Sequence, residues 1–170
     1  MKSQTVALGG VLAALAVVLL LLGGVLPLAT YIGPMLASGL LLPLRAEAPK
    51  EICLGWYGVV SLLAILFCPD PEVSFLFVFL GWYPVAKPGL DRLPRLLRAV
   101  LKLLIFNLCI AALYGLLIWV FQLQELVEEM RETGTGMLIV LILMGNLCFL
   151  LFDKLLDKVA QILTNRAKRQ

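Results

Sequence analysis

Residues 5–26 form a run of 22 positions without a single charged side chain. As a helix rising about 1.5 Å per residue, such a run is long enough to cross a hydrocarbon core of about 30 Å. It is longer than the apolar region of a secretory signal, and no small-x-small cleavage pattern follows it, so it reads as a membrane helix. Two more runs of comparable length, 99–121 and 136–155, carry charge only near one end.

The rest of the chain agrees with lipid as its solvent. Hydrophobic residues make up 62% of the 170 positions and charged residues 15%, with a mean hydropathy of +1.01. A water-soluble domain of this size has too few polar side chains here to cover its outside. Reading for apolar stretches bounded by charge or proline predicts six spans, at 5–26, 28–44, 52–68, 73–86, 99–121 and 136–155, in a single all-α membrane domain. The middle three are short, so they either cross with neighbours shielding them or form re-entrant hairpins.

Orientation follows from the basic residues. With the N-terminus inside, 13 of the 14 Lys and Arg fall on the inner side and only Arg131 on the outer side, which instead holds six of the 11 acids. The expected product is a multi-pass protein of the bacterial plasma membrane with both termini cytoplasmic.

Polar residues inside the spans are few, and each is a candidate for function, because an unsatisfied polar group in hydrocarbon costs several kcal/mol. Asn107, Ala111 and Tyr114 share one helix face, as do Asn146, Phe149 and Asp153. Placed opposite one another they make a polar seam, with Lys102 and Asp153 at matching depth for an intramembrane ion pair. On the first span Gly9, Gly10, Ala13, Ala14 and Ala16 form a stripe of small residues. Such a stripe serves either close packing within the bundle or docking of another membrane subunit. Leu-Gly-Trp-Tyr occurs at 54–57 and again at 80–83, which predicts an aromatic belt at the inner interface. The loop at 68–72 is rigid and acidic, and Lys87 to Arg98 reads as a basic segment facing anionic headgroups. Residues 122–132 look amphipathic and are expected to lie on the outer interface as a short helix or cap.

Several chemistries are not encoded. The chain has no histidine, no phosphate-binding glycine loop and no serine in a nucleophile elbow, and its four cysteines lack metal-ligand spacing. The expectation is a non-enzymatic protein without cofactor, metal or nucleic-acid partner.

The outline, with Gly9, Gly10, Ala13, Ala14 and Ala16 on its first span, resembles the substrate-binding S components of energy-coupling factor transporters. That resemblance implies a six-helix bacterial membrane protein whose first helix docks on a transmembrane coupling subunit, with ATPase subunits supplying the energy. It implies a small-molecule substrate site near the outer side, which here falls on Tyr31, Glu72, Tyr114 and Asn146. The outer half has no basic residue except Arg131, so a neutral or cationic substrate is expected. The competing reading is a membrane scaffold or assembly protein, in which the same polar residues only hold helices together. A binder should line an outward-opening cavity with Tyr31, Tyr114 and Asn146; a scaffold should pack them solid.

Overall fold

The computed structural model describes residues 3–26, 29–120 and 124–167, the side chains of 124–135 and 166–167 excepted. All the regular structure among them is helical: α1 (Ser3–Val25), α2 (Ala29–Gly39), α3 (Leu41–Glu47), α4 (Lys50–Phe67), α5 (Pro71–Leu80), α6 (Tyr83–Leu90), α7 (Arg95–Trp119) and α8 (Gln124–Ala167). Five stretches are long and apolar enough to cross a membrane: α1, α4, α5 with α6, α7, and residues 136–165 of α8. The chain is a multi-pass helical membrane protein.

Side-chain register shows that the remaining piece, α2 with α3, also runs the length of the bundle. Gly33 of α2 lies against Leu19 and Gly23 of α1, and Leu44 of α3 lies beside Gly9. These helices therefore descend antiparallel to α1. On α4, Trp56 donates to the Gly9 carbonyl at 2.9 Å and the Cys68 thiol to the Leu20 carbonyl at 3.4 Å, so α4 rises again. Next, α5–α6 descends: Ser74 donates to Ala64 O at 3.0 Å near one end, and Arg45 to the carbonyls of Pro84 and Val85 near the other. α7 rises from the level of Asp91 to that of Glu72, and α8 returns. Six passages leave the start of α1 and the end of α8 at the same face of the bundle. The short middle segments run its whole length and are not re-entrant.

The second and fourth predicted segments each break into two helices. Proline explains the fourth. Pro84 has no N–H to donate, so α5 ends at Leu80 and α6 begins again at Tyr83. The carbonyls freed by the break need partners where there is no water. Tyr57 donates to Val78 O, while Trp82 at 2.6 Å and Cys109 at 3.3 Å donate to Phe79 O. Pro88 in turn frees Pro84 O, which Arg45 takes at 3.4 Å.

This broken span is the centre of the molecule. Val73, Phe77 and Val85 join a core of Leu12, Ala16, Leu20, Leu41, Val60 and others from α1–α4. Leu76, Leu80 and Tyr83 join a second core with Phe106, Leu113 and Leu117 of α7 and Phe149, Phe152 and Leu156 of α8.

The aromatic belt expected from the two Leu-Gly-Trp-Tyr copies is not there. Trp56 and Tyr83 are buried, and all four Trp and Tyr polar atoms bond to groups inside the bundle. The last helix also differs from expectation. At about 1.5 Å per residue its 44 residues measure about 66 Å, roughly twice a hydrocarbon core of about 30 Å. From Gln124 onward the backbone of the expected interfacial cap is continuous with this helix, while residues 122 and 123 lie outside those described.

The small-residue stripe on α1 divides. Ala16 is fully buried, and Ala13 packs against the same core. Gly9 abuts Leu44 and Trp56, whereas Gly10 and Ala14 are exposed and a Cβ on Gly10 would meet nothing within 4 Å. A tight approach of α1 to another helix lies elsewhere, at Gly33, where a Cβ would stand 2.9 Å from Leu19 O.

Candidate functional site

The intramembrane polar residues gather into three groups at three depths. At the end opposite the termini, three helices contribute one side chain each. Asp70 caps the N-terminus of α5 by accepting from Glu72 N at 2.8 Å, and Pro71 begins that helix. This fixes Glu72 in the first turn, with its carboxylate toward α2 and α7. Tyr31 of α2 donates to Glu72 Oε1 at 3.0 Å and Tyr114 of α7 donates to the same oxygen at 2.7 Å. The two phenolic oxygens are themselves 3.0 Å apart. Tyr31 is 47% exposed, so the triangle is open on that side.

Two helical turns deeper, Asn107 and Asn146 clasp α7 to α8. Asn107 Nδ2 donates to Asn146 Oδ1 at 2.8 Å, and Asn146 Nδ2 returns a bond to Asn107 Oδ1 at 3.2 Å. Each amide spends its second hydrogen on a carbonyl one turn back, Leu103 O and Ile142 O, both at 2.8 Å. All the donors of both amides are used.

Nearest the termini, a charge network joins α6, α7 and α8. Lys102 Nζ lies 2.8 Å from Asp153 Oδ2 and 2.6 Å from Asp91 Oδ1. Lys87 Nζ lies 2.6 Å from Asp153 Oδ1, 2.9 Å from Asp157 and 3.2 Å from Asp91. Tyr83 donates to Asp153 Oδ1 at 2.5 Å. Both lysine side chains are almost wholly enclosed, 6% and 5% exposed, and Asp153 is 13% exposed. Phe149 supports the same corner, edge-on to Tyr83 and stacked on Phe106 with ring centroids 4.6 Å apart.

Tyr31, Glu72 and Tyr114 are thus brought together, and Asn146 is not among them. Asn146 lies two turns away from Tyr114 in depth with its amide saturated by Asn107, so the expected outer site loses that member. The expected continuous seam is three separate groups. An open concavity lies along Asp157, Ala160, Gln161, Thr164 and Asn165 of α8, at the far end from the triangle. The expected ion pair of Lys102 with Asp153 is part of a larger network that takes in Lys87, Asp91, Asp157 and Tyr83. Lys87 was expected to face headgroups, but it turns inward because α6 begins after the Pro84 break and presents it to α8. Its signal in the sequence was the spacing Tyr83, Lys87, Asp91, one helix face in steps of four. No family model matches the chain, no curated protein matches its sequence, and no solved structure matches its fold.

Proposed function

We propose that the chain is the solute-binding, non-enzymatic subunit of a bacterial small-solute uptake transporter, driven through a transmembrane coupling subunit by partner ATPases. The observation that carries this reading is the convergence of Tyr31, Glu72 and Tyr114 from three helices onto one carboxylate oxygen. Intramembrane carboxylates are expensive to hold in lipid, and their usual reason is a solute or ion. The positive-inside pattern supports a plasma-membrane location with both termini cytoplasmic, so the triangle faces outward. Arg131 is the sole Lys or Arg that the positive-inside pattern leaves on that side of the membrane, which favours a neutral or cationic solute. The exposed Gly10 and Ala14, flanked along one side of α1 by exposed Val6 and Val18, support docking of a coupling subunit there.

A scaffold remains the second reading, and one observation favours it. Both phenols of the triangle already donate to Glu72, and the donors of the Asn107–Asn146 clasp are all used, as pure packing would require.

Gentle-detergent purification of the tagged chain from its native membrane, with mass spectrometry of what accompanies it, separates the two. Recovery of a polytopic membrane protein with two ATPases is the expected result. Gly10→Leu should abolish that recovery and leave the purified chain folded, since its side chain enters open space. Recovery of the chain alone, or with envelope-assembly proteins, would overturn the transporter reading.

A further inference from the structure

The basic segment 87–98 is divided by the fold. Lys87 turns into the enclosed charge network, whereas Arg92 and Arg95 stay exposed and Arg98 is partly buried. Arg98 donates to the Asp91 carbonyl at 3.5 Å, and the Asp91 carboxylate lies 2.6 Å from Lys102 and 3.2 Å from Lys87. The three arginines therefore belong to the turn that carries one corner of the network. Asp91, the acid beside them in sequence, is already paired with lysine.

An apolar stripe begins among the same arginines. Leu96, Val100, Leu104 and Leu108 follow one another in steps of four along one side of α7, and all four are exposed. At the other end of that helix Trp119 is exposed too, and an exposed tryptophan settles at a membrane interface. The 25 residues of α7 measure about 37 Å against a hydrocarbon core of about 30 Å. With Trp119 at the outer interface, Arg92 and Arg95 lie at the depth of the inner phosphates.

We propose that this corner is a binding site for one anionic phospholipid of the inner leaflet, its phosphate held by Arg92, Arg95 and Arg98 and its acyl chains lying along Leu96, Val100, Leu104 and Leu108. Guanidinium groups match phosphate oxygens in pairs, and three of them at one place give more than the diffuse attraction of an inner leaflet for basic residues. Phosphatidylcholine carries the same phosphate but adds a cation, so it gains less here. Free phosphate lacks the chains that the stripe would cover. Because Arg98 is tied to Asp91, the bound lipid braces the turn that helps to hold Lys87 and Lys102. The site is compatible with either reading of the function.

The test uses the full chain in an uncharged detergent, with lipid adducts counted by native mass spectrometry after addition of phosphatidylglycerol or phosphatidylcholine of the same acyl chains. One phosphatidylglycerol should be retained, at least about tenfold more tightly than phosphatidylcholine. A basic residue at the surface is worth about fivefold, so Arg95→Gln alone should weaken retention by about that factor, and the triple change Arg92→Gln, Arg95→Gln and Arg98→Gln should erase the preference. Lys50→Gln, Lys154→Gln and Lys158→Gln together remove the same formal charge from exposed positions at the same end of the bundle and should leave the preference in place. Phosphatidylglycerol should raise the unfolding temperature of the parent and of the lysine variant, but not of the triple arginine variant. Inorganic phosphate should not displace the lipid. Equal retention of the two lipids, equal losses in the arginine and lysine variants, or displacement by inorganic phosphate would overturn the proposal, the second by reducing it to diffuse attraction and the third by leaving a phosphate site without chains.

Discussion

The two ends of the bundle hold carboxylates in opposite ways. Near the termini, three aspartates surround two enclosed lysines, and Tyr83 completes the shell of Asp153. At the other end one glutamate has two phenols for company and no cation among the described side chains. The first arrangement is closed: it joins α6, α7 and α8, and every charge in it has a partner. The second is open, with Tyr31 47% exposed and the carboxylate held by phenols among the described side chains. In lipid, enclosed ion pairs fix the position of helices, whereas a carboxylate at an exposed end is suited to something that arrives from outside.

Breaking the enclosed network should have the largest effect. Asp153→Ala removes the most enclosed partner of both lysines and leaves them only the more exposed Asp91 and Asp157. Removal of one partner from a buried pair costs about 3–5 kcal/mol, and the remaining pairs should hold the loss at or below that figure. Reversible unfolding in mixed detergent micelles measures it. The triple change Lys87→Met, Lys102→Met and Asp153→Leu removes the three enclosed charges together and leaves Asp91 and Asp157, 30% and 50% exposed, to water. It should return stability to within about 1 kcal/mol of the parent, because an apolar replacement avoids desolvation. A triple variant no better than Asp153→Ala would show that the network acts by geometry and not by charge balance.

A lesion outside both sites calibrates the comparison. Gly33→Ala forces a methyl to 2.9 Å from the Leu19 carbonyl, where backbone cannot give way, and should cost about 1–3 kcal/mol by overpacking. It should loosen α2 against α1 and leave the charge network intact, visible as faster hydrogen exchange confined to those helices. Smaller again is Asn107→Leu. Interhelical hydrogen bonds in membranes average about 0.6 kcal/mol, so this variant should lower stability by about that amount. A loss of several kcal/mol would make the mid-depth clasp, and not the charged end, the main hold on α8.

Much of this was legible in the sequence because lipid simplifies the reading. Uninterrupted apolar length located the passages, and the depth of Lys102 and Asp153 from their helix ends was enough to pair them. Tyr114 and Glu72 were placed at one end by topology alone. What was not legible depended on where proline breaks a helix. Pro84 and Pro88 cut the fourth span, turned Lys87 inward, and created carbonyls that Tyr57, Trp82, Cys109 and Arg45 then satisfy. Period and composition do not reveal which side chain will answer a freed carbonyl. For the same reason the Trp and Tyr residues of the repeated tetrapeptide, expected at headgroup depth, proved to be interior donors. Asn146 was assigned to the outer site from helix-face arithmetic, and the preference of one asparagine for another across a helix contact moved it elsewhere.

The most direct test of the contrast is a pair of conservative neutralisations, Asp153→Asn and Glu72→Gln, with unfolding free energy measured side by side in the same micelles. Asp153→Asn should lose several kcal/mol, because it is the most enclosed carboxylate of the network and pairs with both buried lysines. Glu72→Gln keeps an oxygen for both phenols and breaks no ion pair among the described side chains, so it should stay within about 1 kcal/mol of the parent or exceed it. Equal losses in the two variants would contradict the account, because Glu72 would then be as much a structural anchor as Asp153.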